Sequence, residues 1–285
     1  MKAITQMPDE QSPAFFIEDD GHYIPTRKAV SAWSPDQLGG TAVCALLARA
    51  LEKDSPGAGS VPARFTADLF SPVLAEPVEL RRSVARDGNR IRVVDAQIVQ
   101  RGQVRSRATT QFLARSEAPP GQVWQPRRDY QIPEQRLDDP QGSLPLFRSG
   151  DGDWTHDFTS AVNSQRKSTW VNVPPLVHGR DITPFERAAF VADFTNLMGN
   201  WGTDGVGYIN TDVTMALSRL PTGHELGMQA RDHVASDGLA VSTTTIYDRS
   251  GPLGTCIVTA LSNSHRQVDV ASAYERTHAL RTYSP

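Results

Sequence analysis

The sequence predicts an α+β fold of two similar units, each an antiparallel sheet curled around one apolar helix. Residues 38–51 and 181–201 contain two stretches that are apolar almost all round. A helix of that composition is typically covered by other structure. Strand-like segments separated by Asp-Gly, Arg-Gly or Ser-Gly turn signals follow each stretch. Four antiparallel strands can bury such a helix only by curling around it.

A near-constant spacing between landmarks indicates that the two units are copies of one another. The offsets are 149 residues between Ser34 and Thr183, 144 between Asp68 and Asp212, 150 between Gly88 and Gly238, and 149 between Gly102 and Gly251. Local similarity agrees, since FTADLF at 65–70 resembles INTDVT at 209–214. A duplicated helix-then-meander unit is the simplest explanation.

In the first unit, a polar lead-in of about 13 residues precedes short strands at 14–18 and up to Thr26. The run Ser34-Pro35-Asp36-Gln37 has the pattern of a helix start, with a cap residue, a proline and a glutamine in the first turn. It predicts a helix through 38–51. Strands are expected at 64–72, 78–85, 90–99 and 104–113.

In the second unit, Thr183 and Glu186 have the spacing of a capping box and Pro184 fits the first helical position. A glycine-rich loop at 199–207 follows that helix. Strands are expected at 168–173, 208–218, 225–233, 239–247 and 255–261. Residues 116–145 contain six prolines and predict a linker across the surface. The predicted divisions are an N-terminal unit at 1–115, a linker at 116–150, a C-terminal unit at 151–270 and a tail at 271–285.

Composition restricts the function classes. A net charge of -3 over 285 residues gives no reason to expect nucleic acid as a partner. The sequence has neither a signal-peptide pattern nor an apolar run long enough for a membrane span, which predicts a cytoplasmic protein without a membrane partner. The two cysteines, Cys44 and Cys256, lie in apolar segments and are expected to be buried free thiols. No metal-ligand spacing, P-loop or serine-hydrolase elbow is present, and no cofactor is expected.

One residue points to chemistry on physical grounds. Asp193 lies in the middle of the second apolar stretch, where helix propensity and desolvation both disfavour a carboxylate. A buried aspartate with a raised pKa can serve as a base. Gly39 and Gly40 lie at the start of the first helix, where free backbone N–H groups could stabilise a developing oxyanion. On the landmark spacing Asp193 corresponds to Cys44, which predicts one acidic site per chain.

The order of these segments resembles the double-hotdog acyl-CoA thioesterases, which comprise the type II bacterial thioesterases and thioesterase-like relatives. The resemblance in the first half lies in LGGTAVCALLARALE (38–52), FTADLFSPV (65–73) and VARDGNRIRVVDAQIVQRGQVRSRATTQF (84–112). In the second half it lies in STWVNVP (168–174), AAFVADFTNL (188–197), INTDVTMALSR (209–219) and the strand pair at 238–261. It implies a tandem hotdog fold and hydrolysis of acyl-CoA to a free acid and coenzyme A.

The resemblance also implies which residues hold the attacking water. The family uses an aspartate in the second helix, a threonine or asparagine on the next strand, and a glutamine on the last strand. These positions fall on Asp193, Asn210 and Thr259. Thr259 departs from the family's glutamine and has a shorter reach, which favours a second hypothesis: a slow or non-catalytic acyl-thioester binding protein.

Structural interpretations remain open for each site residue. Asp193 and Asn210 could satisfy neighbouring backbone, Thr259 could be an ordinary strand residue, and Gly39 and Gly40 could serve close packing. Trp201 could line an acyl tunnel or belong to the core. The sequence from Asp151 to His156 has the spacing of a hotdog enoyl-CoA hydratase, but lacks that family's Asn-Pro and precedes a strand. Exposed sheet edges favour a homo-oligomer.

Overall fold

The computed structural model describes residues 12–31, 33–265 and 267. The predicted leader and the 271–285 tail lie largely or wholly outside this range. The three α-helices of the described chain are α1 (Gly40–Glu52), α2 (Pro184–Ala192) and α3 (Phe194–Asn200). The strands are β1 (Phe16–Asp19), β2 (His22–Pro25), β3 (Ser60–Asp68), β4 (Val78–Arg86), β5 (Ile91–Gln100), β6 (Gln103–Ala114), β7 (Leu146–Ser149), β8 (Lys167–Asn172), β9 (Trp201–Gly202), β10 (Gly205–Val206), β11 (Tyr208–Asn210), β12 (Asp212–Leu217), β13 (Glu225–Ser236), β14 (Leu239–Asp248) and β15 (Gly251–Ser262).

The two units share one antiparallel sheet. Its order is β1-β2-β4-β5-β6-β3-β12-β15-β14-β13-β8-β7, with β11 also paired to β15. The units meet where β3 pairs with β12, and Thr66 and Thr214 oppose each other there with hydroxyls 3.2 Å apart. The helices α1 and α2 pack against each other inside the sheet. This arrangement confirms the predicted α+β fold of two sheet-and-helix units.

The turns between strands follow from residues that tolerate positive φ. Asp237 and Gly238 have φ of 51° and 79°, and Arg101 and Gly102 have φ of 51° and 73°. Two successive left-handed residues match the right-handed twist of a two-residue hairpin. The strands β3, β5 and β6 each begin 148 residues before β11, β14 and β15, which supports the duplication.

Helix α1 does not begin at the predicted Ser34-Pro35 box. Its N-cap is Gly39, and residues 34–38 form a turn and bridges instead. The Leu38 N–H donates to the Val73 carbonyl and the Ser31 N–H to the Gln37 carbonyl. These long-range bonds replace the helical bonds that the local pattern favours, so the prediction of a helix start at Ser34 is wrong.

Helix α2 begins as predicted, but the long helix is interrupted. Thr183 and Glu186 form the reciprocal capping box, with Pro184 in the first turn. At Asp193 the backbone is still helical (φ -68°, ψ -20°), yet the residue ends α2 and precedes α3. The predicted single helix is therefore two consecutive helices that meet at the residue singled out for chemistry.

The predicted linker is only partly a free connection. Strand β7 lies within 116–150 and pairs with β8 at the edge of the sheet. Before it, residues 130–145 have no regular secondary structure and contact side chains of β8 and β13. We call residues 130–145 the strap.

Three further expectations concern the described residues. Cys44 and Cys256 are buried and unpaired, as predicted. Within the described ranges no helix has the length and apolarity needed to cross a membrane. The same residues include no group of three or more potential metal ligands.

Candidate active site

A large cavity opens between the two units. Its volume is about 1320 Å³, above the range of about 300–1,000 Å³ common for small-molecule sites. Its wall includes the first turn of α1, the α2–α3 junction, the end of β11 and much of the strap. Apolar side chains dominate several sides, among them Phe15, Leu38, Phe147, Phe158, Phe190 and Phe194. An elongated ligand with an apolar portion fits these dimensions.

Asp193 faces this cavity from the α2–α3 junction. Its carboxylate lies against Gly40, the first residue of α1: a β-carbon on Gly40 would be 2.6 Å from Asp193 Oδ2 and 2.7 Å from Oδ1. Only a residue without a side chain permits this approach. Gly40 thus has a reason to be glycine that involves the carboxylate directly.

The environment of Asp193 raises its pKa. Burial disfavours the charged carboxylate and raises the pKa from 3.8 to about 6, against a hydrogen bond from Asn210 that lowers it. Asn210 Nδ2 donates to Asp193 Oδ1 at 2.9 Å. No ion pair to Asp193 occurs within the described chain. A carboxylate of this kind is poised to accept a proton near neutral pH.

The N-terminus of α1 adds hydrogen-bond donors beside the carboxylate. Its N-cap is Gly39, which has no side chain to satisfy the first-turn N–H groups. Gly39, Gly40 and Thr41 all line the cavity. A helix N-terminus carries partial positive charge and favours an anion at this position. A carboxylate of raised pKa and the N–H groups of a helix N-terminus therefore adjoin the same space.

The structure does not bring Thr259 to this cavity. Cys256, Val258 and Ala260 of β15 are buried, so the alternating Thr259 points to the exposed face. There its hydroxyl donates to Asp212, and its N–H donates to Asp212 Oδ1 at 2.9 Å. The expectation that Asp193, Asn210 and Thr259 converge is met for the first two residues only.

Trp201 lies behind the cavity wall. It is 4% exposed, and its ring packs 5.6 Å from Phe147 and 6.1 Å from Phe158, measured between ring centroids. Those two phenylalanines line the cavity, whereas Trp201 does not. The core interpretation of Trp201 therefore fits its position better than the tunnel-lining one.

The residues of the hydratase-like sequence do not form a site. His156 lines the cavity, and its Nδ1 lies 3.1 Å from the Pro145 carbonyl. Asp151 is fully exposed at a turn, with only a distant contact to Arg148. The two side chains of the Asp-x4-His pattern thus face different environments.

Sequence reasoning missed the strap as part of the site. Ten cavity-lining positions lie between Gln135 and Pro145. The proline content of this segment predicted only a connection. The side chains that hold it belong to β8, β13 and the turn after β14, which are distant in the sequence and leave no local signal. Asn196 of α3 was missed as well; it lines the cavity and donates to the Tyr208 carbonyl at 3.1 Å. Its position three residues after Asp193 was the available signal.

Comparison with solved structures supports the fold assignment. The tesB protein of Mycobacterium avium subsp. paratuberculosis matches with a TM-score of 0.60 at 14% identity, covering 86% of this chain and 95% of that one. An acyl-CoA thioesterase II, TesB2, of Mycobacterium marinum gives 0.59 at 14% identity, covering 86% and 93%. A conserved protein of unknown function with a hot dog fold from Alicyclobacillus acidocaldarius gives 0.61 at 15% identity, covering 88% and 96%. No curated protein matches the sequence.

The fold and the site together define a double-hotdog protein of the thioesterase class. Residues 29–113 match the model of the acyl-CoA thioesterase N-terminal domain, and residues 130–261 match that of the C-terminal domain. Since the two ranges together span most of the sequence, the chain belongs to the acyl-CoA thioesterase family.

Proposed function

We propose that this protein hydrolyses acyl-CoA to a free acid and coenzyme A by direct attack of water, with Asp193 as the base. The observation that carries the proposal is the contact of the Asp193 carboxylate with Gly40 inside the cavity. It combines a base of raised pKa with a helix N-terminus in one apolar-walled space. Asn210 orients the carboxylate through its hydrogen bond.

The reaction then needs no covalent intermediate. Asp193 accepts a proton from water as the water oxygen bonds to the thioester carbon. The carbonyl oxygen becomes an oxyanion, which the first-turn N–H groups of α1 stabilise. The tetrahedral intermediate collapses by breaking the carbon–sulfur bond, and the thiolate of coenzyme A takes the proton that Asp193 accepted, which restores the carboxylate. The products are the free acid and the thiol.

Measurement of thiol release from acyl-CoA tests the proposal. Wild-type protein should release thiol above background, and Asp193→Asn should lose about a thousandfold in kcat/KM. Asp248→Asn is a matched control, because Asp248 is a buried carboxylate that binds Arg219 and does not line the cavity. Equal activity in wild type and Asp193→Asn would overturn the assignment.

The second candidate is an acyl-thioester binding protein with little turnover. The position of Thr259 favours it, because the third polar group that the family resemblance implies lies on the exposed sheet face. Calorimetry with an S-alkyl thioether analogue of acyl-CoA separates the two. Tight binding of the analogue, with no thiol release from any acyl-CoA tested, would establish the binder.

The wider setting remains a prediction. Hydrolysis of acyl-CoA would place the protein in lipid metabolism, and a cytoplasmic location is expected from the sequence. Association into a homo-oligomer is supported by apolar residues on the exposed sheet face, namely Val234, Leu239, Val241, Ile257 and Leu261. Light scattering on the purified protein measures the number of subunits.

A further inference from the structure

The strap is fixed to the C-terminal unit by side chains that bind its backbone. Glu225 Oε1 accepts from the Leu137 N–H at 2.9 Å. Asn172 Nδ2 donates to the carbonyls of Leu137 at 2.7 Å and Asp139 at 2.8 Å. Arg249 donates to the carbonyls of Pro133 and Gln135, each at 3.0 Å. These three side chains thus hold the middle of the strap by its main chain, and Tyr247 and His156 contact the carbonyls of Gln131 and Pro145 near its two ends.

Glu225 is the centre of this attachment. It also accepts from Trp170 Nε1 at 2.9 Å and from both Nε and Nη2 of Arg249. The Arg249 guanidinium lies over the Trp170 ring, 5.1 Å from its centroid. Glu225 is 6% exposed, so removing its charge would leave Arg249 and two buried N–H donors poorly satisfied. A change at Glu225 should therefore loosen the strap.

A second set of contacts fixes the end of the strap that adjoins β7. Gly142 has φ of 84°, and a β-carbon there would be 2.5 Å from Pro174 Cγ. The Ser143 N–H donates to the Asn172 carbonyl at 3.2 Å. Between these contacts and β7 the strap presents Leu144, which is half-buried and lines the cavity. Leu144 is thus a large apolar side chain in the part of the cavity wall that this end of the strap forms.

We propose that the strap is a fixed wall of the acyl-binding cavity, with Leu144 a contact for the acyl chain and Glu225 its positioning residue. The proposal rests on the proposed function in one respect: the ligand is taken to be an acyl thioester. It assigns chain-length selectivity to the segment that precedes the strands and helices of the C-terminal thioesterase domain. Glu225 acts only through the strap, since its side chain does not line the cavity.

The test compares hexadecanoyl-CoA with butanoyl-CoA. Leu144→Ala and Glu225→Gln should each lower the ratio of kcat/KM for the long chain over the short chain by about fivefold, because apolar contact with distal methylenes is lost. The loss should appear in KM for the long chain, with kcat unchanged. The ratio cancels any difference in the fraction of folded protein. Asp248→Asn, the loss of a buried arginine-bound carboxylate that does not touch the strap, should leave the ratio within about twofold.

Binding of the corresponding S-alkyl thioethers keeps the test independent of turnover. If the wild type does not hydrolyse acyl-CoA, the dissociation constant of the long-chain analogue, divided by that of the short-chain analogue, should still rise in Leu144→Ala and Glu225→Gln. Hydrogen exchange at the Leu137 amide should accelerate in Glu225→Gln but not in Leu144→Ala. Unchanged ratios in both variants, or an equal loss for both chain lengths, would overturn the proposal.

Discussion

Helices α1 and α2 run antiparallel, so the N-terminus of each helix lies beside the C-terminus of the other. The two N-termini differ in the groups that surround them. At the start of α2, Thr183 and Glu186 cap the backbone, Glu186 binds Arg49 at 2.9 Å, and the Thr183 hydroxyl donates to Glu52 at 2.7 Å. At the start of α1, Gly39 offers no side-chain cap and the neighbouring carboxylate is Asp193. We call these the closed end and the open end.

The difference shows how a duplicated fold can keep a single site. The groups of the closed end bind one another, and none of them lines the cavity. At the open end, backbone donors and a carboxylate that has no cation partner among the described residues face a large space. With the strand offset of 148, the counterpart of Asp193 in α1 is Ala45, next to Cys44, and both are fully buried. Of the two ends, the open end therefore has the groups that the proposed hydrolysis uses.

After Asp193 itself, the largest expected effect at the open end comes from Gly40. Gly40→Ala should lower kcat/KM by about a hundredfold or more, because its β-carbon would displace the Asp193 carboxylate. Gly39→Ala is the matched control. A β-carbon at Gly39 would make ordinary contacts of 3.7 Å and longer, and its φ of -69° suits alanine. Similar rates of thiol release from the two variants would contradict the role given to Gly40.

The closed end should matter for stability instead. Glu186→Gln breaks a buried ion pair and should lower the free energy of unfolding by about 3–5 kcal/mol. The kcat/KM of the folded fraction should stay within about twofold of wild type. Urea denaturation and thiol release on the same samples check both numbers. A large loss of activity without a loss of stability would abolish the distinction between the two ends.

The pH dependence of activity should report the open end. Below a pH of about 6, kcat/KM should fall with decreasing pH, because Asp193 becomes protonated and cannot act as a base. Asn210→Ala should move this limb to higher pH, since the hydrogen bond from Asn210 favours the carboxylate. A pH profile of kcat/KM for both proteins measures the shift. A limb that does not move would remove Asn210 from the site.

The contribution of Asp193 to stability should decrease as pH rises, whereas activity should increase. Because the pKa of Asp193 is raised from 3.8 to about 6 on folding, the folded protein holds a proton that the unfolded chain has lost within this window. This contribution to stability is present below the lower value and is lost as pH rises through the upper one. Relative to Asp193→Asn, the wild type should therefore lose free energy of unfolding between about pH 4 and 7. Denaturation curves at several pH values test this.

The smallest effect is expected at Thr259. Thr259→Val should change kcat/KM by less than about twofold, because its side chain binds Asp212 on the exposed sheet face. A loss of tenfold or more, without a loss of stability, would mean that Thr259 reaches the reacting groups during turnover.

The sequence predicted the fold and Asp193 because both depend on local or repeated patterns. The apolar stretches, the turn dipeptides and the capping box at Thr183 each specify local structure, and their repetition specifies the architecture. Sequence-based prediction failed where contacts between residues far apart in the chain determine the local structure. Leu38 pairs with Val73 instead of entering a helix, and Glu225 fixes a strap 88 residues earlier in the chain.

The site was predicted only in part for a similar reason. Asp193 is marked by a charge in an apolar stretch, and Gly40 by its place at a helix start. Asn210 and Thr259 were predicted from the family resemblance. In the structure their side chains lie on opposite faces of the sheet, because side chains alternate along a strand. The contact between Gly40 and Asp193 joins residues of the two units, which no local pattern reveals.

The central claim is that water held by Asp193 attacks the thioester carbon directly. A single turnover of acyl-CoA by excess protein in oxygen-18 water tests it, with mass analysis of the released acid. Direct attack places one oxygen-18 atom in the acid during the first turnover. An unlabelled acid, with the oxygen-18 atom in the Asp193 carboxylate after the same turnover, would show a covalent acyl intermediate and contradict the account.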